Sequence, residues 1–333
     1  MKKFYNKSIK IFLLFFIYNI NIVIFCREYS LSFLKLPTTA RQTSITGYIA
    51  LSDDIGGIFC NPSGLVNSSA QVGFSHNEHF QQIKYDFLGY IMTKRNYTLF
   101  FGLAILYTNN IEGRTGQKDF DPVYVNIYQT VEPEFYYSMY SFQSGIGIAK
   151  NINKNISFGT TLKFVNEKIY DVSADTILLD TGIQYKYNNN FVLGFVLNNF
   201  GFPIKYVDKY YSTPMQIGFG AKYKMKKFCF VSDLVKPMYE DFFINFGSEI
   251  EAIDFFIIRL GYKYKIQSWY LESEDVLLGL SLGLGLNYFG TKIDYSISSF
   301  GELGFSHKVS LIIEFDKVGK FYKLLREKLF KVK

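Results

Sequence analysis

Ser52-Asp-Asp-Ile-Gly-Gly-Ile-Phe-Cys-Asn-Pro-Ser-Gly-Leu65 gathers Asp53 and Asp54, Gly56 and Gly57, and the turn Asn61-Pro62-Ser63-Gly64 into one short stretch of an otherwise apolar, aromatic chain. Paired carboxylates suit metal or acid–base work, clustered glycines suit a phosphate cradle, and all of them together suit a structural turn. Two other groupings invite chemistry. His76 and His79 in His-Asn-Glu-His have a ligand-like spacing, but on a strand residues three apart point to opposite faces, and His307 is remote. The glycines of Gly279–Gly285 alternate with leucines and are followed by no Lys-Ser or Lys-Thr, so they form no phosphate loop. With three histidines and no recognisable Ser motif, the chain offers no nucleophile and base to gather at a rim. It reads as non-enzymatic, without metal or cofactor.

The elements that would position these residues are strands. Aromatics make up 19% of the 333 residues, 27 of them Tyr and 35 Phe, yet mean hydropathy is near zero. Apolar and polar residues are therefore interleaved, as in transmembrane β-proteins. From Ala70 to Phe315, about fourteen segments of about ten residues show period-two patterning between Asn, Gly, Asp, Pro or Lys clusters. The clearest runs from Val276 to Tyr288, with Leu278, Leu280, Leu282, Leu284 and Leu286 on one face and Gly279, Ser281, Gly283, Gly285 and Asn287 on the other. A soluble sandwich also alternates, but its outward face would be charged rather than Gly-rich and its strands shorter. The fold class is accordingly all-β, a transmembrane antiparallel barrel. Small inward residues leave room for a ligand path or an N-terminal plug. Charged positions assigned to the lumen include Lys84, Asp86, Lys163, Asp180, Lys222, Glu249, Arg259 and Asp294, which either pair across the wall or line a selective path. Asn151–Asn155, Asn188–Asn190, Met225–Lys227 and Ala252–Asp254 read as tight turns at one end; Ile111–Pro133, Phe200–Pro214 and Gln267–Asp275 read as longer loops at the other.

The two ends differ from the middle. Lys2, Lys3, Lys7 and Lys10 precede an apolar run, Ile11–Phe25, of secretory-signal length, which sets 1–26 apart as a signal peptide. An uncleaved anchor and a lipidated Cys26 are the alternatives. No other segment has the ~18 consecutive apolar residues of a membrane helix. After Phe315 the period changes to three and four, so 317–333 reads as a basic amphipathic tail suited to anionic headgroups or a periplasmic partner. Leader and tail carry the positive charge behind the net +7, which leaves the body slightly acidic and gives no basic face for nucleic acid. Cys60 and Cys229 read as buried small residues rather than a disulfide framework.

Ser32-Phe-Leu-Lys-Leu-Pro-Thr-Thr-Ala-Arg-Gln-Thr-Ser-Ile-Thr-Gly47, Ala50-Leu-Ser-Asp-Asp54, Asn61-Pro-Ser-Gly-Leu65, Phe74-Ser-His-Asn-Glu78 and Tyr85-Asp-Phe-Leu-Gly-Tyr90 resemble the PorV/PorQ-like group within the FadL superfamily of long-chain fatty-acid transporters. The resemblance implies fourteen strands over 69–316 and an inward-folded hatch over 27–68, with the superfamily's Asn-Pro-Ala-type motif at Asn61, Pro62 and Ser63. Polar Gln42, Thr43 and Thr46 depart from the Ala- and Gly-rich pattern, and the basic tail replaces a terminal aromatic strand. Two roles follow from the resemblance: passive uptake of a fatty-acid-like or other hydrophobic ligand through the outer membrane of a diderm bacterium, or an accessory barrel for secretion or surface proteins. In this frame Asp53 and Asp54 become polar anchors and caps in the hatch, Gly56 and Gly57 supply unusual backbone angles, and Pro62 with Gly64 tightens the turn into the first strand.

Overall fold

The computed structural model describes residues 28–79, 82–113, 135–266 and 277–319. The leader 1–26, loop residues 114–133 and 267–275, and the tail from 320 onward lie outside these. The strands are β1 (Gln71–Glu78), β2 (Lys84–Thr93), β3 (Thr98–Gly113), β4 (Phe135–Asn151), β5 (Ile156–Ile169), β6 (Val172–Lys186), β7 (Phe191–Gly201), β8 (Ile204–Tyr206), β9 (Lys209–Tyr211), β10 (Gln216–Met225), β11 (Phe228–Pro237), β12 (Phe242–Ile253), β13 (Phe256–Ile266), β14 (Leu280–Tyr288), β15 (Thr291–Ser299) and β16 (Phe305–Glu314). All except the hairpin β8–β9 form one closed antiparallel barrel of fourteen strands, in which β7 pairs with β10 and β1 closes on β16. Closure leaves the barrel no edge strand, as a bilayer demands of any sheet that spans it.

Alternation sorts the residues as period two requires. On β14, Leu282, Leu284 and Leu286 point outward and are exposed, while Ser281, Gly283 and Gly285 are buried inward. Outward Phe219, Phe230, Phe246 and Leu260 continue the same apolar wall around the barrel. Six tight turns, among them 152–155, 187–190 and 226–227, sit at one end, together with the entry to β1 and the exit from β16. The longer connections sit at the other end, beside one two-residue turn at 170–171.

The structure corrects several boundaries. The strand expected from Val276 begins at Leu280, because 277–279 form a turn and Gly279 takes a φ of 86°. Ile111–Gly113 belong to β3 rather than to the loop after it. The loop Phe200–Pro214 folds back on itself as β8–β9. After the barrel, residues 315–319 form a helical turn, in step with the change of period at Phe315.

Residues 28–70 thread the lumen from end to end. Ser212 N–H donates to Glu28 O (3.0 Å) at the long-loop end, and Phe315 N–H donates to Ala70 O (3.0 Å) at the short-turn end. Between these points the hatch forms helix α1 (Ala40–Ile45), N-capped by Thr39, and 3-10 turns at Ile55–Phe59 and Pro62–Asn67. It lies directly against inward glycines of the wall. A Cβ on Gly73 would strike Ile55, one on Gly145 would strike Phe59, and one on Gly182 would strike the Asn61 amide. On the far side, Gly194, Gly218 and Gly220 receive Ile49, Gly247 receives the Ile45 carbonyl, and Gly261 and Gly283 receive Ser44. The room left by small inward residues is thus occupied by plug backbone.

This belt predicts that Gly247→Ala displaces the hatch at α1 without opening the barrel, at a cost of about 1–3 kcal/mol from overpacking. Limited proteolysis should cut the hatch faster while the barrel keeps its heat-modifiable electrophoretic form. Gly319→Ala, with nothing within 4 Å, should behave as wild type.

Candidate functional site

Asp54 begins the hatch's polar centre because local geometry recruits it first. As N-cap of the turn Ile55–Phe59, its Oδ1 accepts from Gly56 N–H at 2.8 Å and from the Tyr48 hydroxyl at 2.5 Å. Its second oxygen faces Arg41 on α1, whose Nη1 donates to Asp54 Oδ2 at 2.8 Å and to Asp53 Oδ1 at 2.7 Å. Arg41 then crosses to the wall, donating to both oxygens of Glu249 on β12 at 3.0 and 3.2 Å. Glu249 accepts from Arg259 Nε (2.7 Å), and Arg259 Nη1 donates to Asp294 (2.6 Å). A line of alternating charge therefore runs from the hatch through β12 and β13 to β15. Burial disfavours charge on both hatch groups, but the opposite charges outweigh it. Glu249 and Asp53 hold the Arg41 guanidinium well above its ordinary value, and Arg41 holds the Asp54 carboxyl below its own. Burial and the Asp54 charge push Tyr48 up, so its hydroxyl stays protonated and donates.

Further wall residues grip the plug through its backbone. Asp233 Oδ2 accepts from Tyr48 N–H (2.6 Å) and Ile49 N–H (3.1 Å), and Asn198 Nδ2 donates to Cys60 O (2.9 Å). Asn61 caps the turn Pro62–Asn67 by accepting from Ser63 N–H (3.1 Å) and Ser63 Oγ (2.6 Å), while its Nδ2 donates to Ile49 O at 2.7 Å. Lys163 and Asp180, both fully buried, form a second pair at 2.8 Å; Lys163 also donates to the Asn199 side chain, and its ammonium lies 6.0 Å from the Phe59 ring centre. Cys60 and Cys229 are free thiols.

Of the positions assigned to the lumen, Lys163, Asp180, Glu249, Arg259 and Asp294 face inward and are buried, and Lys222 faces inward, half-buried, at the short-turn mouth. Lys84 and Asp86 do not. The phase of β2 places Tyr85, Phe87, Gly89 and Ile91 inside and Lys84, Asp86, Leu88 and Tyr90 outside. The lumen on this side is an apolar core, with Tyr85, Phe87 and Ile91 packed around hatch residues Leu34, Ile55 and Ile58. Polarity therefore marks the outside near the loop end, where Asp86 binds His76 Nδ1 (2.6 Å) and the Tyr107 hydroxyl (3.1 Å).

Gly56 and Gly57 also serve a different purpose from the one expected. Neither has positive φ; both are glycine because a Cβ would meet Thr39, Leu65 and Ser52. Gly64 is equally tight against Ser52. Arg41 and Tyr48 are the central residues that residue-type reasoning passed over. The signal for Arg41 was present, since it and Lys35 are the only cations between Glu28 and Ala70, twelve residues ahead of Asp53.

Removing one partner of a buried pair leaves an uncompensated charge, at a cost of about 3–5 kcal/mol. Arg41→Ala should accordingly expose the hatch to protease, and Arg41→Lys should restore protection only in part, because an ammonium cannot fork between Glu249 and the two aspartates. The lowered Asp54 value sets the pH range over which this one carboxylate contributes. The carboxylate's contribution is complete above its ordinary value, about 3.9, and is lost only as pH falls through the lower folded value. The loss of hatch protection caused by Asp54→Asn, measured by limited proteolysis, should therefore be the same at about pH 8 and at about pH 5.

No family model matches the chain, and no curated protein matches it. Solved structures do. A "deltaS2S3" mutant of the TodX monoaromatic hydrocarbon channel superposes with a TM-score of 0.60 at 12% identity, covering 83% of this chain and 99% of that one. The Pseudomonas putida toluene transporter TodX gives 0.57 at 11%, covering 84% and 97%. A Pseudomonas aeruginosa FadL homologue gives 0.51 at 10%, covering 84% and 98%. Fourteen strands in closed antiparallel order give this protein the fold of these solved channels and of the FadL homologue.

Proposed function

We propose that the protein is a non-enzymatic channel for passive uptake of hydrophobic small molecules across the outer membrane of a diderm bacterium. The observation that carries this reading is the division of the lumen by the hatch. On the side of β1–β6, the hatch's Leu31, Phe33 and Leu34 pack among Tyr85, Phe87, Phe100, Leu178 and other apolar wall residues. On the side of β11–β15, the charge line from Arg41 to Asp294 fixes the same hatch in place. Shifting the apolar segment would open an apolar track alongside a polar anchor that need not release. Fold likeness to proteins described as hydrocarbon channels and as a FadL homologue supports the same direction.

At the loop end, Lys35 pairs with Glu240, which also accepts from the Tyr29 hydroxyl at 2.5 Å. Tyr29 and Ser212 form a parallel bridge beside β9. These contacts tie the start of the hatch to the β11–β12 connection and to the segment after β9 at the outer mouth. In the proposal they are the first to yield to a ligand.

Uptake of labelled toluene and labelled oleate by barrel-expressing cells tests the reading. Cells carrying the chain should accumulate at least one probe several-fold faster than cells with empty vector, and Lys35→Ala with Tyr29→Phe should raise the rate further. Rates equal to empty vector for both probes, with secreted proteins co-purifying on the barrel, would replace uptake with the accessory role.

A further inference from the structure

The outer wall has a notch where lipid contact should be smooth. Ala221, Ser232 and Ser248 are outward positions on the neighbouring strands β10, β11 and β12, with Ala221 directly paired to Ser232. Around them stand Phe230, Phe246 and Tyr262. Together they bound a groove of about 470 Å³ open to the membrane, within the size range of small-molecule sites. The adjoining outward rows carry bulky residues, Phe219 and Leu234 above and Phe228 and Ile258 below.

The groove lies close to a strong local charge. Its floor is about five residues from the two-residue turn Lys226-Lys227, roughly 16 Å along the strand at the usual rise. Allowing for strand tilt, that places it roughly 12 Å deep, within the ~15 Å thickness of one leaflet's hydrocarbon. Both lysines are exposed. Their neighbour Lys224 is held by Glu251 at 3.0 Å. Charge at this end is one-sided: the six tight turns carry Lys94, Arg95, Lys154, Lys226 and Lys227 against Asp254 alone. A cationic turn above an apolar slot of leaflet depth matches an amphiphile with an anionic head and a long apolar chain.

We propose that this face of β10–β13 seats one anionic phospholipid of the inner leaflet, with its phosphate at Lys226 and Lys227 and one acyl chain in the groove floored by Ala221, Ser232 and Ser248. The site depends on the barrel's membrane orientation and not on what passes through its lumen. Each lysine near an anionic surface is worth on the order of a fivefold gain in binding. Ser232→Leu would fill the floor without disturbing the inward face.

Native mass spectrometry of the detergent-purified full chain, titrated with phosphatidylglycerol or phosphatidylcholine, tests this. Wild type should retain a single phosphatidylglycerol adduct well above phosphatidylcholine. Lys226→Gln with Lys227→Gln should erase most of that preference, about tenfold or more. Ser232→Leu, or Ala221→Val if the first fails to fold by heat-modifiability, should cut adducts of both lipids while keeping the preference. Lys94→Gln with Arg95→Gln, on another turn, should change nothing. Equal retention of both lipids by wild type, unchanged adducts in either groove or turn variant, or a protein dimer mass in place of lipid adducts would each overturn the proposal.

Discussion

A closed sheet of fourteen strands encloses more space than its inward side chains can fill, and here that space is filled with backbone. The hatch approaches the wall so closely that many inward positions must be glycine, from Gly73 under Ile55 to Gly247 under the Ile45 carbonyl. Backbone brought into a lumen carries N–H and C=O groups that need partners. Asp233, Asn198 and Thr161 supply some of them, the last by donating to Ile58 O at 2.9 Å, and the hatch caps its own turns with Thr39, Asp54 and Asn61. Polar residues inside this barrel therefore serve the plug before they serve any solute.

The same demand explains why the charges are arranged as a line rather than scattered. Arg41 sits between the hatch carboxylates and Glu249, and Arg259 sits between Glu249 and Asp294. Arg41, Glu249 and Arg259 thus each gain partners on two sides, which helps a buried charge offset its desolvation. Such a line couples three wall strands to one helix of the plug, while the opposite, more apolar side of the hatch is held by packing and by hydrogen bonds such as that from Thr161 to Ile58 O.

Much of the architecture was readable from residue order. Leu282, Leu284 and Leu286 against Ser281, Gly283 and Gly285 could only be a strand with one greasy face. The Asn-rich and Lys-Lys turns marked the short-turn end, and the inward Lys163, Asp180, Glu249, Arg259 and Asp294 followed from phase. Polarity misleads at β2, where Lys84 and Asp86 read as inward because polar residues usually mark the lumen. There the lumen is itself a hydrophobic core shared with the hatch, so the usual contrast between the two faces is inverted.

The sequence by itself determined the barrel, because a two-residue period repeated over about fourteen long segments, with a Gly-rich second face, fits a closed membrane sheet better than a sandwich. The stretches between Ser32 and Tyr90 that resemble the FadL superfamily implied a hatch ahead of the first strand. Only the tertiary structure decided what the marked residues do. Asp53, Asp54, Glu249, Arg259 and Asp294 are far apart in the chain, and nothing local shows that Arg41 joins them. Gly56, Gly57 and Gly64 are glycines because of neighbours that arrive from elsewhere, not because of their own backbone angles. Period and turn chemistry are local properties that a sequence displays; which charges meet, and which glycines are crowded, depend on how the plug descends through a closed wall.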